Sequence, residues 1–242
     1  MIPTIIPSIT SILSITSVPF VPLGALADWE FILRNADYLA SGLAITISLT
    51  IASILLGFAA GFPAGLIEVY GGRYSKALVA GLGVLLRGTP IVVIIIVMFF
   101  VVGISPAFLA ATLALGFRSA AYQSQIFRGA IESVSGGQME AARAVGLSRL
   151  QAIRHVVVPQ ALRRSIPGFQ NEFTIVLKDT SIAFAIGLAE LLTRSYDLFV
   201  QRTTAVLEVV LFISLLYFLL TFSTNRALDA LGERFAIPGG EG

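Results

Sequence analysis

The side chains best able to do chemistry in this sequence are ionisable groups inside long apolar stretches: Arg118 in one stretch, and Glu172, Lys178 and Asp179 in another. Such groups are costly in hydrocarbon unless they face a cavity or each other. Arg118 can hold a carboxylate through a bidentate pair, and Glu172 can hold a cationic group. The alternative is structural, with an Arg118–acid pair or a Lys178–Asp179 pair stabilising the helices. Further polar residues either line a substrate path through the membrane or form hydrogen bonds between helices: Tyr122, Gln123, Gln125 and Asn171.

Composition excludes several other kinds of chemistry. The 242 residues are 56% hydrophobic and 12% charged, which is far from the balance of a soluble domain. There is no cysteine and a single histidine, His155, so thiol catalysis, disulfides and a histidine-rich metal site are excluded. A net charge of +2 does not favour a nucleic-acid partner.

The apolar residues fall into blocks long enough to cross a bilayer, which takes about 20 residues of helix. Four small residues in the first block, Ser53, Gly57, Gly61 and Gly65, recur every four positions and predict a face that another helix can approach closely. That face serves either ordinary helix packing or a sliding contact. We predict an all-α integral membrane protein with five spans: 38–67, 77–102, 107–127, 169–192 and 205–225. The second is expected to begin as an interfacial helix that is broken at residues 87–90.

Orientation follows from the basic residues, which accumulate in cytoplasmic loops. Ten Lys and Arg residues fall on one side of the predicted spans and three on the other. The N-terminus is therefore expected outside and the C-terminus in the cytoplasm. We divide the chain into an extracytoplasmic or interfacial extension at 1–37, a transmembrane domain at 38–230 and a cytoplasmic tail at 231–242. Residues 1–27 carry four prolines and predict an irregular or short-helical segment.

The cytoplasmic segment at 132–167 is too polar to cross a membrane and is patterned as two short helices. Ser135 and Gln138 have capping-box spacing, which predicts a helix from about Gln138 to Val145 that Gly146 closes in a left-handed conformation. Ser148 repeats the cap with Gln151, and the second helix is expected to end at Pro159. This helix–turn–helix within residues 132–167, called the knob below, is suited to fit a groove on a partner protein. The plainer alternative is a loop at the membrane surface.

The same segment resembles the coupling motif of ATP-binding cassette (ABC) importer permeases, Glu-Ala-Ala-x3-Gly-x9-Ile-x-Leu-Pro. The matching residues are Glu140, Ala141, Ala142, Gly146 and Pro159, with Val156 and Val158 in place of Ile and Leu. Three further stretches are similar to the polar amino-acid permeases (histidine, glutamine and arginine type): Arg87-Gly88-Thr89-Pro90, Ala120-Ala121-Tyr122 with Ile126-Phe127-Arg128-Gly129-Ala130, and Lys178-Asp179-Thr180-Ser181.

This resemblance implies a type I importer permease in the cell membrane, with a five-helix core and an N-terminal extension. It implies two cassette ATPase subunits, a second permease copy or paralogue, and an extracytoplasmic amino-acid-binding protein. ATP and Mg would be bound on the ATPases and no cofactor on this chain, which lacks the Gly-Lys-Ser/Thr sequence of a phosphate loop. The residues implied in coupling are Glu140, Ala141, Ala142, Gly146, Leu147, Ser148 and Pro159.

Two other classes of protein stay open at this point. An ion-coupled secondary transporter or channel would explain the spans and the intramembrane charges, but it would give the cytoplasmic knob no mechanical purpose. An intramembrane enzyme would need a nucleophile or metal constellation, which these residues do not provide. The sequence does not select one amino acid as substrate.

Overall fold

The structure is a computed structural model that describes residues 26–134 and 136–235, and the described chain is helical throughout, without strands. In chain order the helices are α1 Leu26–Arg34, α2 Ala36–Tyr70, α3 Arg73–Gly88, α4 Ile91–Ile96, α5 Ala107–Glu132, α6 Gly136–Ala144, α7 Arg149–Ala152, α8 Val158–Arg164, α9 Ile166–Asp179, α10 Leu191–Gln201 and α11 Val206–Phe235. Short π-helical segments at Val97–Val101 and Ile153–Val157 extend α4 and α7, and 3-10 turns follow at Thr180–Ile186 and Thr203–Ala205.

Helices α2 and α5 form the closest pair in the bundle, and the predicted small-residue face is where they meet. A Cβ added at Gly61 would lie 2.7 Å from the Ala120 carbonyl oxygen, and one at Gly65 would lie 2.9 Å from that of Ser124. No side chain fits at such distances, so glycine is what lets the two backbones approach. The close helix approach predicted for this face is confirmed.

Three apolar clusters hold the remaining helices around this pair. The first joins α2, α4 and α5 to the 3-10 turn through residues such as Leu49, Ile95 and Leu115. The second joins α1, α2, α10 and α11. The third ties the C-terminal end of α5 to Val157 and Ala161 in the segment that precedes α9. The segment predicted to be cytoplasmic is therefore packed on the bundle and does not hang from it.

Among the described residues, two helices are long and apolar enough to cross a membrane: Ala36–Tyr70 and Thr203–Ala230. Helices α3 and α4 supply a further crossing if they act together, and they meet at a bend of 102°. The bend lies at the predicted break, where Pro90 follows Thr89 and disfavours helix there. Helices α5 and α9 carry the ionisable residues named above and lie inside the bundle.

The prediction of one continuous span at 169–192 is wrong. Helix α9 ends at Asp179, the chain continues as a 3-10 turn to Ile186, and Gly187 then adopts a left-handed φ of 73°. The hydroxyls of Thr180 and Ser181 bond back to the carbonyls of Leu177 and Lys178. Such local bonds compete with the α-helical ladder and favour a break.

Two boundaries in the segment at 132–167 also differ from expectation. Helix α6 begins at Gly136, two residues before Gln138, and ends at Ala144; the Ser135 cap lies outside the described residues. Pro159 does not end a helix but sits in the first turn of α8, after the wider π-helical segment. The chain is helical on both sides of Pro159, and the wider turn before it accommodates a residue that lacks an N–H. The prediction for residues 1–25 also lies outside the described part of the chain.

Candidate functional site

The coupling motif folds as two short helices joined by a tight turn. Gly146 has a φ of 92°, the left-handed value predicted for it. The Leu147 N–H donates to the Ala142 carbonyl and closes α6. The predicted capping box of α7 is present, because Ser148 and Gln151 exchange side-chain-to-backbone hydrogen bonds. The angle between α6 and α7 is thus fixed by a glycine conformation and a cap.

The outer surface of this helix–turn–helix is open and partly apolar. Val145 is 79% exposed and Leu150 is 74% exposed. Glu140 and Ala141 are exposed beside them, whereas Ala142 is buried against the bundle. Exposed apolar side chains on an otherwise polar surface suit contact with a partner protein.

The knob is joined to the bundle by contacts that can transmit its movement. The Arg149 guanidinium stacks over the Tyr70 ring, with 5.7 Å to the ring centroid, at the end of α2. Arg164 donates to the Ser133 carbonyl at the end of α5. Helix α8 then runs through Ser165 directly into α9. These contacts connect the knob to both the α2–α5 pair and α9.

Arg118 and Asp179 form the polar link between α5 and α9. Their closest nitrogen and oxygen atoms are 2.5 Å apart, and both side chains are about four-fifths buried. Arg118 also stacks over Tyr122 at 5.2 Å, while its Nε is buried with no acceptor. The Arg118–acid pair considered from the sequence is therefore present, and the guanidinium is already occupied by a resident carboxylate.

The other predicted path residues are divided between two faces of α9. Glu172 is 3% exposed and shares the α5-facing side with Asp179. Asn171 and Lys178 are exposed on another side of the helix. No Lys178–Asp179 ion pair occurs among the described residues. The structure thus brings Arg118, Tyr122 and Asp179 together and separates them from Asn171 and Lys178.

Gln125 belongs to a second polar cluster, which sequence reasoning missed. Its Nε2 donates to both carboxylate oxygens of Glu68, at 2.9 and 2.8 Å, and Arg128 lies 3.6 Å from the same carboxylate. This cluster joins the ends of α2 and α5, so Gln125 bonds helix to helix. The available signal was Glu68, an acid one turn beyond Gly65 on the side of α2 that the glycines indicate as a helix contact.

Glu190 was also missed, because it falls inside the span predicted at 169–192. It is fully buried and caps α10, accepting from the N–H groups of Leu192 and Thr193. Glutamate is not among the residues usually found at a helix N-cap, so the local sequence does not indicate this helix start.

A helical membrane bundle with buried charges between its helices and a rigid knob outside it defines a class of protein, the membrane subunits of transport systems. Over residues 53–237 the chain matches the family described as "Binding-protein-dependent transport system inner membrane component". The chain belongs to this family.

Individual relatives agree with the family match. The glutamine transport system permease protein GlnP of Escherichia coli strain K12 is 32% identical over 216 residues, which is 87% of this chain and 98% of the relative. The nopaline transport system permease protein NocM of Agrobacterium fabrum is 32% identical over 213 residues, covering 82% and 88%.

Solved structures agree on the fold. A crystal structure of an amino acid ABC transporter with histidines has a TM-score of 0.76 and 30% identity, covering 84% of this chain and 96% of that chain. The inward-facing methionine transporter MetNI has a TM-score of 0.69 at 21% identity, a likeness of fold. The predicted fold, a type I importer permease, is confirmed. The prediction that the chain is a permease subunit of an inner-membrane ABC importer is confirmed as well. Such a subunit is not the enzyme of its system, and in general it has ATPase and binding-protein partners.

Proposed function

We propose that the chain is the permease subunit of an importer of polar amino acids. When ATP binds, the partner ATPase subunits close on each other, move the α6–α7 knob and so drive alternating access. The observation that carries this proposal is the knob itself, with Val145 and Leu150 largely exposed on a turn fixed by Gly146. The relatives named for glutamine and nopaline transport support the substrate class.

The coupling role rests on how the knob is built. Ala141 keeps the exposed side of α6 thin enough to enter a groove, Ala142 lets the inner side of α6 pack closely, and Gly146 sets the angle between the two helices. Glu140 is exposed and is in no ion pair with another described residue, so it is available for a basic residue of the ATPase. Docking uses these residues with Leu147, Ser148 and Pro159.

The translocation path runs along α5 and α9, where the ionisable groups lie at membrane depth. Its proposed residues are Arg118, Tyr122, Gln125, Asn171, Glu172, Lys178 and Asp179. In this arrangement one nitrogen of Arg118 is paired with Asp179, while its Nε has no acceptor among the described residues, so the guanidinium keeps a donor for a substrate carboxylate.

The assembly contains two ATPase subunits that hold ATP and Mg, a second permease subunit and a binding protein outside. The N-terminus lies outside and the C-terminus in the cytoplasm, by the distribution of Lys and Arg. The transmembrane domain is residues 38–230, its coupling segment 132–167, its N-terminal extension 1–37 and its tail 231–242.

The test is co-expression with a neighbouring cassette ATPase, reconstitution in liposomes and measurement of ATP hydrolysis with single amino acids and their binding protein. Selective stimulation by polar amino acids is the expected result. Absence of any complex with an ATPase would overturn the proposal and favour a secondary transporter.

A further inference from the structure

A narrow groove of about 180 Å³ lies between α3 and the α2–α5 pair, and no residue of α9 lines it. Its lining includes small residues from all three helices: Ala60, Ala64, Gly83, Ala120 and Ala121. Ser124 supplies the polar side chain of the lining, and its hydroxyl donates to the Ala121 carbonyl at 3.0 Å. Because that hydroxyl is already bonded, the walls suit hydrocarbon and not a polar solute.

A hydrogen bond between α3 and α5 holds the two walls of this groove in place. Arg87 lies over Gly83, and its Nη1 donates to the Ala121 carbonyl at 2.6 Å. A Cβ added at Gly83 would lie 2.9 Å from the same nitrogen, so a glycine is needed there. Helix α3 is thus tied to α5 beside the groove.

The dimensions of the groove suit a single chain of methylene groups. Its lining on α3 extends from Val79 to Leu86, which is about 10 Å along a helix. A volume of about 180 Å³ over that length leaves a passage much narrower than a helix, which is about 10–12 Å across. A helix from a second copy of this chain does not fit into it, whereas a lipid acyl chain does.

The side of α3 that borders the groove begins with two cations. At three- or four-residue spacing, which keeps residues on one side of a helix, it carries Arg73, Lys76, Val79, Gly83 and Leu86. Arg73 is exposed, and Lys76 uses one N–H of its ammonium on the Val69 carbonyl at 2.7 Å. Two ammonium donors of Lys76 therefore stay available. This side of α3 complements a lipid that has a negative headgroup and an apolar tail.

The cations lie at the depth of lipid headgroups. Tyr74, in the same turn, is 89% exposed, and tyrosine concentrates at the boundary between membrane and water. This turn is on the knob side of the membrane, because Arg149 of the knob stacks over Tyr70 just before α3 begins. Beyond it the exposed side chains of α3 are apolar, among them Leu78 and Leu82. The groove is therefore at the depth of acyl chains.

No acid of the described residues forms an ion pair with Arg73 or Lys76. Glu68, one turn beyond Ala64 on α2, is already bonded to Gln125 and lies 3.6 Å from Arg128. An anion from outside the chain can therefore bind both cations.

We propose that one acyl chain of an anionic phospholipid occupies this groove, in the leaflet that borders the knob, with its phosphate at Arg73 and Lys76. Basic pockets between membrane helices bind anionic headgroups in this way. The site goes beyond the proposed function, since it does not depend on which solute is transported. Its lipid supports α3, the helix that leads to the break at residues 87–90.

The test is native mass spectrometry of the purified permease–ATPase complex during titration with dioleoylphosphatidylglycerol, which is anionic, or dioleoylphosphatidylcholine, which is not. The wild-type complex should bind the phosphatidylglycerol about five- to thirtyfold more tightly, as expected for one or two basic residues at headgroup depth. Arg73→Gln should lower that preference about fivefold. Arg226→Gln is the matched control, because it removes the same charge near the knob-side end of α11, and it should leave the preference unchanged.

A second pair of variants tests the groove itself. Ala60→Phe fills it from α2 and should remove the tightly bound lipid, whichever headgroup that lipid carries. Ala59→Phe places the same side chain on the exposed neighbouring position, which does not line the groove, and should keep the lipid. Ala60→Leu repeats the test with a smaller side chain if Ala60→Phe does not assemble.

Equal lipid binding by the Ala60 and Ala59 variants would overturn the proposal, and so would an unchanged preference for phosphatidylglycerol in Arg73→Gln. Separation of the permease subunits in the Ala60 variants alone, with lipid binding intact, would also overturn it and assign the groove to a protein contact. Failure of the proposed function would look different. It would appear as the absence of ATP-driven uptake of every amino acid, whereas lipid binding is measured without ATP or amino acid.

Discussion

A charge inside a hydrophobic helix needs a partner, and Arg118 finds one in Asp179. The pair has a single short contact at 2.5 Å, with the Arg118 Nε left buried and without an acceptor. A guanidinium with one fork satisfied holds two helices together but keeps capacity for a second anion. Arg118 therefore joins α5 to α9 and still has a donor that no described residue uses.

The strength of this link can be measured with a double-mutant cycle of Arg118→Gln and Asp179→Asn. Each single change leaves one charge largely buried without its counter-charge, so the double variant should recover part of the loss. We expect a coupling energy of about 1–3 kcal/mol in the thermal stability of the purified complex.

The exposed pair Arg34–Glu30, at 2.6 Å, is the matched control. Its side chains are 75% and 61% exposed, and such pairs contribute about 0–1 kcal/mol. Equal coupling in the two cycles would contradict a special role for Arg118–Asp179.

Two parts of the helical framework, the α2–α5 pair and the knob, have local causes in the sequence. The first depends on the close approach of α5 at Gly57, Gly61 and Gly65, and the second on Gly146 and the Ser148 cap. Both rest on glycines, but for different reasons: space in the first and a left-handed backbone in the second.

Gly61→Ala should destabilise the α2–α5 pair, because its Cβ would lie 2.7 Å from a backbone oxygen that cannot move alone. We expect a loss of about 1–3 kcal/mol in thermal stability. Gly81→Ala is the control, since a Cβ there meets no atom within 4 Å. That change should be neutral or slightly stabilising. Equal stability of the two variants would show that α2 and α5 are not in backbone contact.

Gly146→Asp should uncouple transport from ATP hydrolysis, because the φ of 92° is unfavourable for a side chain and the turn between α6 and α7 must change. Hydrolysis and uptake are measured together in liposomes; the variant should insert and hydrolyse ATP but not transport. Gly137→Asp adds the same charge at an open helical position and should transport normally. Normal transport by Gly146→Asp would refute the coupling role of this turn.

Local patterns were sufficient to predict some of these elements. The small-residue face, the Ser148 cap and the left-handed Gly146 each depend on a few neighbouring residues. The break after Asp179 depends on the hydroxyls of Thr180 and Ser181, which bond to backbone carbonyls three residues earlier. The π-helical segment before Pro159 depends on the packing of Val157 against α5. Glu68 and Gln125 meet only through the tertiary contact of α2 with α5. Hydropathy alone therefore gave the presence of helices and missed where α9 ends and which polar residues meet.

At the scale of the whole molecule, the knob is connected to the buried charges by a short continuous route. It packs against the end of α2 through Tyr70 and continues through α8 into α9, which carries Asp179 and Lys178. A movement at the ATPase interface would thus shift α9 against α5, where the Arg118–Asp179 pair resists it. The family of inner-membrane transport components provides the partners that make such a movement useful.

The most direct test of this account compares driving forces for uptake of radiolabelled polar amino acids in liposomes containing the permease, its ATPase and its binding protein. We predict uptake only when ATP is supplied on the side of the membrane where the ATPase lies. A proton or sodium gradient alone should drive no uptake. Uptake driven by an ion gradient in liposomes that contain the permease without the ATPase would contradict the account.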